Sequence, residues 1–167
     1  MLGKNTGGKK GLYRALALID EVLDQSQYNL ISLSIGPPES IDDDRVSAWT
    51  TLLDDYLGLS NCLGLVAVGN NGEEADLASR VMAPSDSVNA LGVGACSHAN
   101  GDCWARAPYS AKGPGRSPGL VKPDVVYFGG TLESPFLFAG IRGQILHEVG
   151  TSFSTPSLAR MAAGLKV

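Results

Sequence analysis

Apolar positions along the chain change their period several times, and each change marks an element. Leu12, Ala15, Leu16, Ile19 and Leu23 recur at three- and four-residue spacing, with Asp20, Glu21 and Asp24 mostly opposite. That stripe predicts an amphipathic helix of about four turns. Leu30-Ile31-Ser32-Leu33-Ser34-Ile35 reads as a strand ended by Gly36-Pro37-Pro38. Asp42 to Leu57 predicts a second helix, with Val46, Trp49, Leu53 and Tyr56 on one face and Gly58 as its stop. Leu63 to Val68 is continuously apolar, the mark of a strand covered on both faces, and it ends in Gly69-Asn70-Asn71-Gly72. Ala90 to Ala95 predicts a third strand. A loop-rich stretch through Lys112-Gly113-Pro114-Gly115 and Lys122-Pro123-Asp124 leads to Val125-Val126. A last helix is expected to begin at Pro156, capped by Ser154 or Thr155, because proline lacks only an N–H that is orphaned there anyway.

Helix–strand–helix–strand alternation predicts an α/β fold with a mainly parallel sheet. Ligands of such sheets bind at the carboxyl ends of the strands, so the loops at Gly36-Pro37 and Gly69-Asn70 are the places to look. Ser152 joins them. It lies just ahead of the last helix, where backbone dipoles favour developing negative charge.

Composition adds exclusions. The 167 residues suffice for one domain with a real core, and 44% apolar with 18% charged residues is a globular balance. A net charge of −4 without a basic stripe argues against nucleic acid or an anionic membrane as partner. No apolar run approaches the length of a membrane span. Arg14, Asp20 and Glu21 interrupt the most apolar N-terminal stretch, which is therefore no signal peptide, and the compartment stays open. Twenty-one glycines and nine prolines fit many tight loops. Cys62, Cys96 and Cys103 lack metal-type spacing and read as packing residues or thiols, with a Cys96–Cys103 bridge left open.

Four segments in order then resemble a known family. These are Ile31-Ser32-Leu33-Ser34-Ile35-Gly36, Val66-Ala67-Val68-Gly69-Asn70-Asn71-Gly72, Tyr109-Ser110-Ala111-Lys112-Gly113-Pro114 with Lys122-Pro123-Asp124-Val125, and Gly150-Thr151-Ser152 with Thr155-Pro156. Together they resemble the C-terminal two-thirds of the catalytic domain of a subtilisin-like serine peptidase, a subtilase of peptidase family S8. Gly-Thr-Ser alone arises often by chance; the four in order cover nearly the whole chain. The resemblance implies a three-layer subtilisin-like fold, truncated at the N-terminal side, and a polypeptide substrate. It implies Ser152 as nucleophile and Asn70 as side-chain oxyanion donor. Ser34, Ile35 and Gly36 would lie along the substrate backbone, and Ala67, Val68 and Gly69 would wall the pocket for the side chain before the cleaved bond. Gly150 and Thr151 complete the nucleophile motif. Acyl transfer needs such a hydroxyl and a fixed donor where the oxyanion forms.

The departures are as informative. The family's aspartate and histidine motifs do not occur, and Met1-Leu2-Gly3 resembles the strand just after the histidine helix. This chain alone is therefore expected to be inactive and to self-associate over its uncovered surface, with Met1–Gly8 rearranged or exchanged between chains. Phe153 and Ser154 replace the usual Met-Ala, Ser157 a common histidine, and Tyr127-Phe128-Gly129 the usual Ala-Pro-Gly. His98 and His147 read as loop or surface residues, since nothing nearby orients either as a base. Gly3 to Lys10 nearly matches a phosphate-binding loop but carries Lys10 where Ser or Thr should hold magnesium. No cofactor is expected. Glu73, Glu74 and Asp76 read as a solvated loop; Asp124 resembles a position near a weak cation site in some subtilases, so calcium is the one ion left open. Phe136-Leu137-Phe138 reads as core ahead of an exposed specificity loop. The alternative to a peptidase is a degenerate subtilase-like module that binds peptides without cleaving them.

Overall fold

The computed structural model describes residues 9–98 and 105–165. Helix α1 (Lys9–Gln25) leads into β1 (Leu30–Leu33), α2 (Ala48–Leu59), β2 (Leu63–Ala67) and β3 (Ala90–Cys96). Then come β4 (Val125–Phe128), a hairpin of β5 (Phe136–Ala139) and β6 (Ile145–Glu148), and α3 (Thr151–Gly164). Strands β1 to β4 pair in chain order, all parallel.

Adjacent residues of β2 show why the sheet needs cover on both faces. Val66 packs with Leu53 and Leu57 of α2, while Leu65 packs with Val93 and with Ala159 of α3. Successive strand side chains point to opposite faces, so the continuous apolar run serves two cores. Each buried leucine contributes about 1.5–3 kcal/mol. The result is the expected three-layer α/β arrangement.

Four expectations need correction. Helix α2 starts at Ala48, not Asp42, because Ser47 caps it: its hydroxyl accepts from Thr50 N at 3.1 Å. Asp42 closes its own turn instead, accepting from Asp44 N at 3.0 Å. Strand β1 ends at Leu33, opposite Val66, so Ser34 and Ile35 leave the ladder. Helix α3 starts at Thr151 with Gly150 as N-cap, and Pro156 lies inside it. Neither Ser154 nor Thr155 caps; both hydroxyls return to the Thr151 carbonyl, at 3.0 and 2.8 Å. Lastly, Phe136-Leu137-Phe138 is neither core nor loop. It is the first strand of the hairpin, with Phe136 and Phe138 half-buried and Leu137 exposed.

Tyr127 and Phe128 extend β4, and Gly129 N then donates to Cys96 O at 3.3 Å. The Gly3–Lys10 motif, the Met1–Gly8 exchange and Cys103 lie wholly or mostly outside the described residues. Among the described residues no helix is long and apolar enough to cross a membrane.

Candidate active site

The carboxyl end of β2 sets the first part. Val68 N donates to Val93 O at 3.2 Å and Val68 O accepts from Met82 N at 2.8 Å, which continues the strand's alignment for one residue. Gly69 then turns at φ +109°, where a side chain is both strained and obstructed, since a Cβ would come within 2.8 Å of Met82. Asn71 anchors the turn from below, its amide donating to Arg80 O at 2.7 Å and Ser40 Oγ at 3.0 Å. Asn70 is left exposed between these fixed neighbours.

The start of α3 sets the second part. Gly150 N donates to Gly129 O at 3.0 Å and to the Tyr109 hydroxyl at 3.1 Å; that hydroxyl donates to Gly130 O at 2.8 Å. Burial pushes the Tyr109 phenol up to about 12, against the hydrogen bond from Gly150, so it remains a neutral donor at neutral pH. Gly150 itself sits at φ +154°.

The two parts meet at Asn70. Its Oδ1 accepts from Thr151 N at 2.9 Å and from Thr151 Oγ1 at 3.0 Å. Two donors on one atom fix the orientation of the amide, because the NH2 end cannot accept either bond. Nδ2 therefore has its hydrogens free, and no described residue accepts from it. The Ser152 N–H likewise has no acceptor among the described residues. Ser152 is exposed in the first turn of the helix, at the positive end of its dipole. Pro156 cannot supply the helical bond to the Ser152 carbonyl.

The other anticipated residues divide. Ser34 is exposed and Ile35 half-buried beyond the end of β1. Gly36 presses against Ala83 O and Pro84, leaving no room for a Cβ. Ala67 and Gly69 are half-buried, but Val68 is fully buried with Val81 and Ala111 and both its backbone groups are taken by Val93 and Met82, so it presents no surface to a ligand. His98 Nδ1 pairs with Ser97 Oγ at 2.7 Å, and His147 is exposed on β6 opposite Leu137. No described residue hydrogen-bonds the Ser152 hydroxyl. Glu73, Glu74 and Asp76 are exposed, and no group of three metal-binding side chains occurs among the described residues. Asp124 Oδ2 is engaged by Gly92 N at 2.6 Å and Lys122 Nζ at 2.7 Å.

Two contributors were not visible in the sequence. Tyr109 stood only inside a motif, and its bond to Gly150 spans 41 positions. Phe153, beside Ser152, stacks on Phe136 and Phe138 with ring centroids 5.2 and 5.4 Å apart, so the hairpin buttresses the turn that carries Ser152.

The subtilase (peptidase S8) family model matches residues 2–167. No curated protein sequence matches the chain. Among solved structures, the self-cleaved protease domain of PatA is similar with a TM-score of 0.64 and 24% identity, over 90% of this chain and 49% of that one. The prenylagaramide maturation protease PagA gives 0.63 and 22%, over 89% and 48%. The epidermin leader peptide processing serine protease EpiP from Staphylococcus aureus gives 0.60 and 16%, over 89% and 42%. The chain thus spans about half the length of these structures, or less.

Proposed function

The chain belongs to the subtilase family, a family of serine proteases, and on that premise we propose that it carries the nucleophile and oxyanion donors of an endopeptidase acting on polypeptides. One observation carries the proposal: Thr151, the residue before Ser152, pins the Asn70 amide by its oxygen and leaves Nδ2 without an acceptor among the described residues. In the proposed reaction a base supplied from outside this chain takes the Ser152 hydroxyl proton as the oxygen attacks the scissile carbonyl, and the same group returns that proton to the amine as the C–N bond breaks and the acyl-enzyme forms. Asn70 Nδ2 and the Ser152 N–H receive the developing oxyanion. Water later cleaves the acyl-enzyme. The backbone of Ser34, Ile35 and Gly36, without a hydrogen-bond partner among the described residues, is proposed to lie along the substrate. Ala67 and Gly69 border its side-chain pocket. Losing such a side-chain donor costs about 10²–10³ in turnover, a magnitude known from a member of this same family.

A serine hydroxyl is a weak nucleophile without a base. Neither histidine is bonded to Ser152, so this chain by itself is proposed to be inactive. Strand β1 pairs only with β2 among the described residues, and its free edge is the proposed route to self-association. The test is complementation. The chain is mixed with a polypeptide carrying a subtilase's aspartate and histidine segments, and capture of a fluorophosphonate probe is followed. Capture at Ser152 in the mixture alone supports the proposal; capture at another residue overturns it.

A further inference from the structure

Helices α1 and α2 present matching faces to each other with a gap between them. On α1, Tyr13, Leu16, Ala17, Asp20 and Asp24 follow the spacing i, i+3, i+4, i+7, i+11. On α2, Ala48, Thr51, Leu52, Asp55 and Leu59 follow the same spacing. Such positions line one side of a helix. The two sides enclose a groove of about 1210 Å³, above the roughly 300–1,000 Å³ usual for a small-molecule pocket. From Tyr13 to Asp24 it runs about 16 Å, or three helical turns.

The lining has one sign of charge. Asp20, Asp24 and Asp55 belong to it, and among the described residues no Lys, Arg or His does. None of the three carboxylates is in an ion pair among the described residues, whereas Asp42, Asp43, Asp86 and Asp124 all have cationic partners. Apolar surface remains uncovered between them: Tyr13 is 68% exposed and Leu59 94%. Exposed rings beside unpaired carboxylates suit a cation on an apolar stem, through cation–π attraction and charge together.

We propose that the groove between α1 and α2 docks a cationic amphipathic helical segment of another polypeptide. Its apolar stripe lies on Leu16, Leu52 and Leu59, and its Lys or Arg side chains reach Asp20, Asp24 and Asp55. This is helix-in-groove recognition with an acidic rim. Helix α2 covers the face of the sheet opposite to α3, so the groove is separate from the Ser152 site.

Fluorescence anisotropy with a designed, labelled peptide of leucine and lysine at helical spacing tests this, beside the same peptide with glutamate for lysine. The lysine peptide binds saturably at one site and the glutamate peptide does not. Added salt weakens the binding. The combined variant D20N/D24N/D55N, on three exposed positions, weakens it about tenfold or more. Leu59→Lys weakens it too, and Ser152→Ala leaves it unchanged. Equal binding of both peptides, undiminished binding to the Asn variant, or occupation of the groove by a second copy of this chain overturns the proposal.

Discussion

Asn70 accepts two hydrogen bonds from a single residue 81 positions away, Thr151, from its backbone nitrogen at 2.9 Å and its hydroxyl at 3.0 Å. Gly150, the N-cap of α3, has no side chain to do this, so Asn70 caps the helix from another loop. The same contact decides which end of the amide faces outward. Helix stability and the donor geometry beside Ser152 are thus two consequences of one pair.

That pair separates the two roles by mutation. Asn70→Ala removes the cap and is expected to cost about 0.5–2 kcal/mol of stability. Asn70→Asp retains the acceptor, places a carboxylate at the positive helix end, and should keep most of the stability while losing the outward NH2. Urea unfolding of the two variants checks this. Equal losses in both would show that the cap is not what Asn70 supplies.

Much of this was legible in the chain, and the misses share a cause. The runs at Leu12–Leu23, Leu63–Val68 and Ala90–Ala95 declare themselves because burial imposes their period. The start of α3 did not. Proline reads as a first helical residue by local rules, yet the Asn70 cap, a distant contact, draws the helix back to Thr151. The hairpin failed for the same reason: β6 is exposed along its whole length, and β5 is held by stacking on Phe153. Asn70 and Ser152 were legible as motif positions, but Thr151 as the link between them was not.

Tyr109 makes stability pH-dependent in the alkaline range. Its phenol is raised from 10 to about 12, so its contribution is complete below pH 10 and lost as pH rises through 12. Tyr109→Phe should remove that component and, at neutral pH, cost about 1–2 kcal/mol for the two bonds to Gly130 and Gly150. Thermal melts of both proteins between pH 9 and pH 12 give the difference, on the order of one titrating group. Parallel curves would contradict the assignment.

Gly150→Ala forces a side chain to φ +154°, where the cost is about 1–3 kcal/mol although the nearest side-chain atom, Asn70 Nδ2, is 3.4 Å from the new Cβ. Gly119→Ala, at φ +83° with nothing within 4 Å, is a control for strain away from the site. Both should be destabilised, but only Gly150→Ala should alter the Asn70 side-chain amide resonances. Unchanged Asn70 resonances in Gly150→Ala would mean that the two are not coupled.

Among the described residues one edge of β1 has no partner strand, which predicts association at micromolar concentration. Sedimentation velocity should show a dimer or larger species, and Ser32→Pro, which places a residue without an N–H in the exposed edge strand, should reduce it. A monomer at every concentration would remove the edge as an interface.

The most direct measurement is the rate at which a fluorophosphonate probe captures the chain by itself. With no described residue bonded to the Ser152 hydroxyl, capture should be no faster than in Ser152→Ala, and unaffected by His98→Ala or His147→Ala. Rapid stoichiometric capture at Ser152, abolished by either histidine substitution, would contradict the account by revealing a base within this chain.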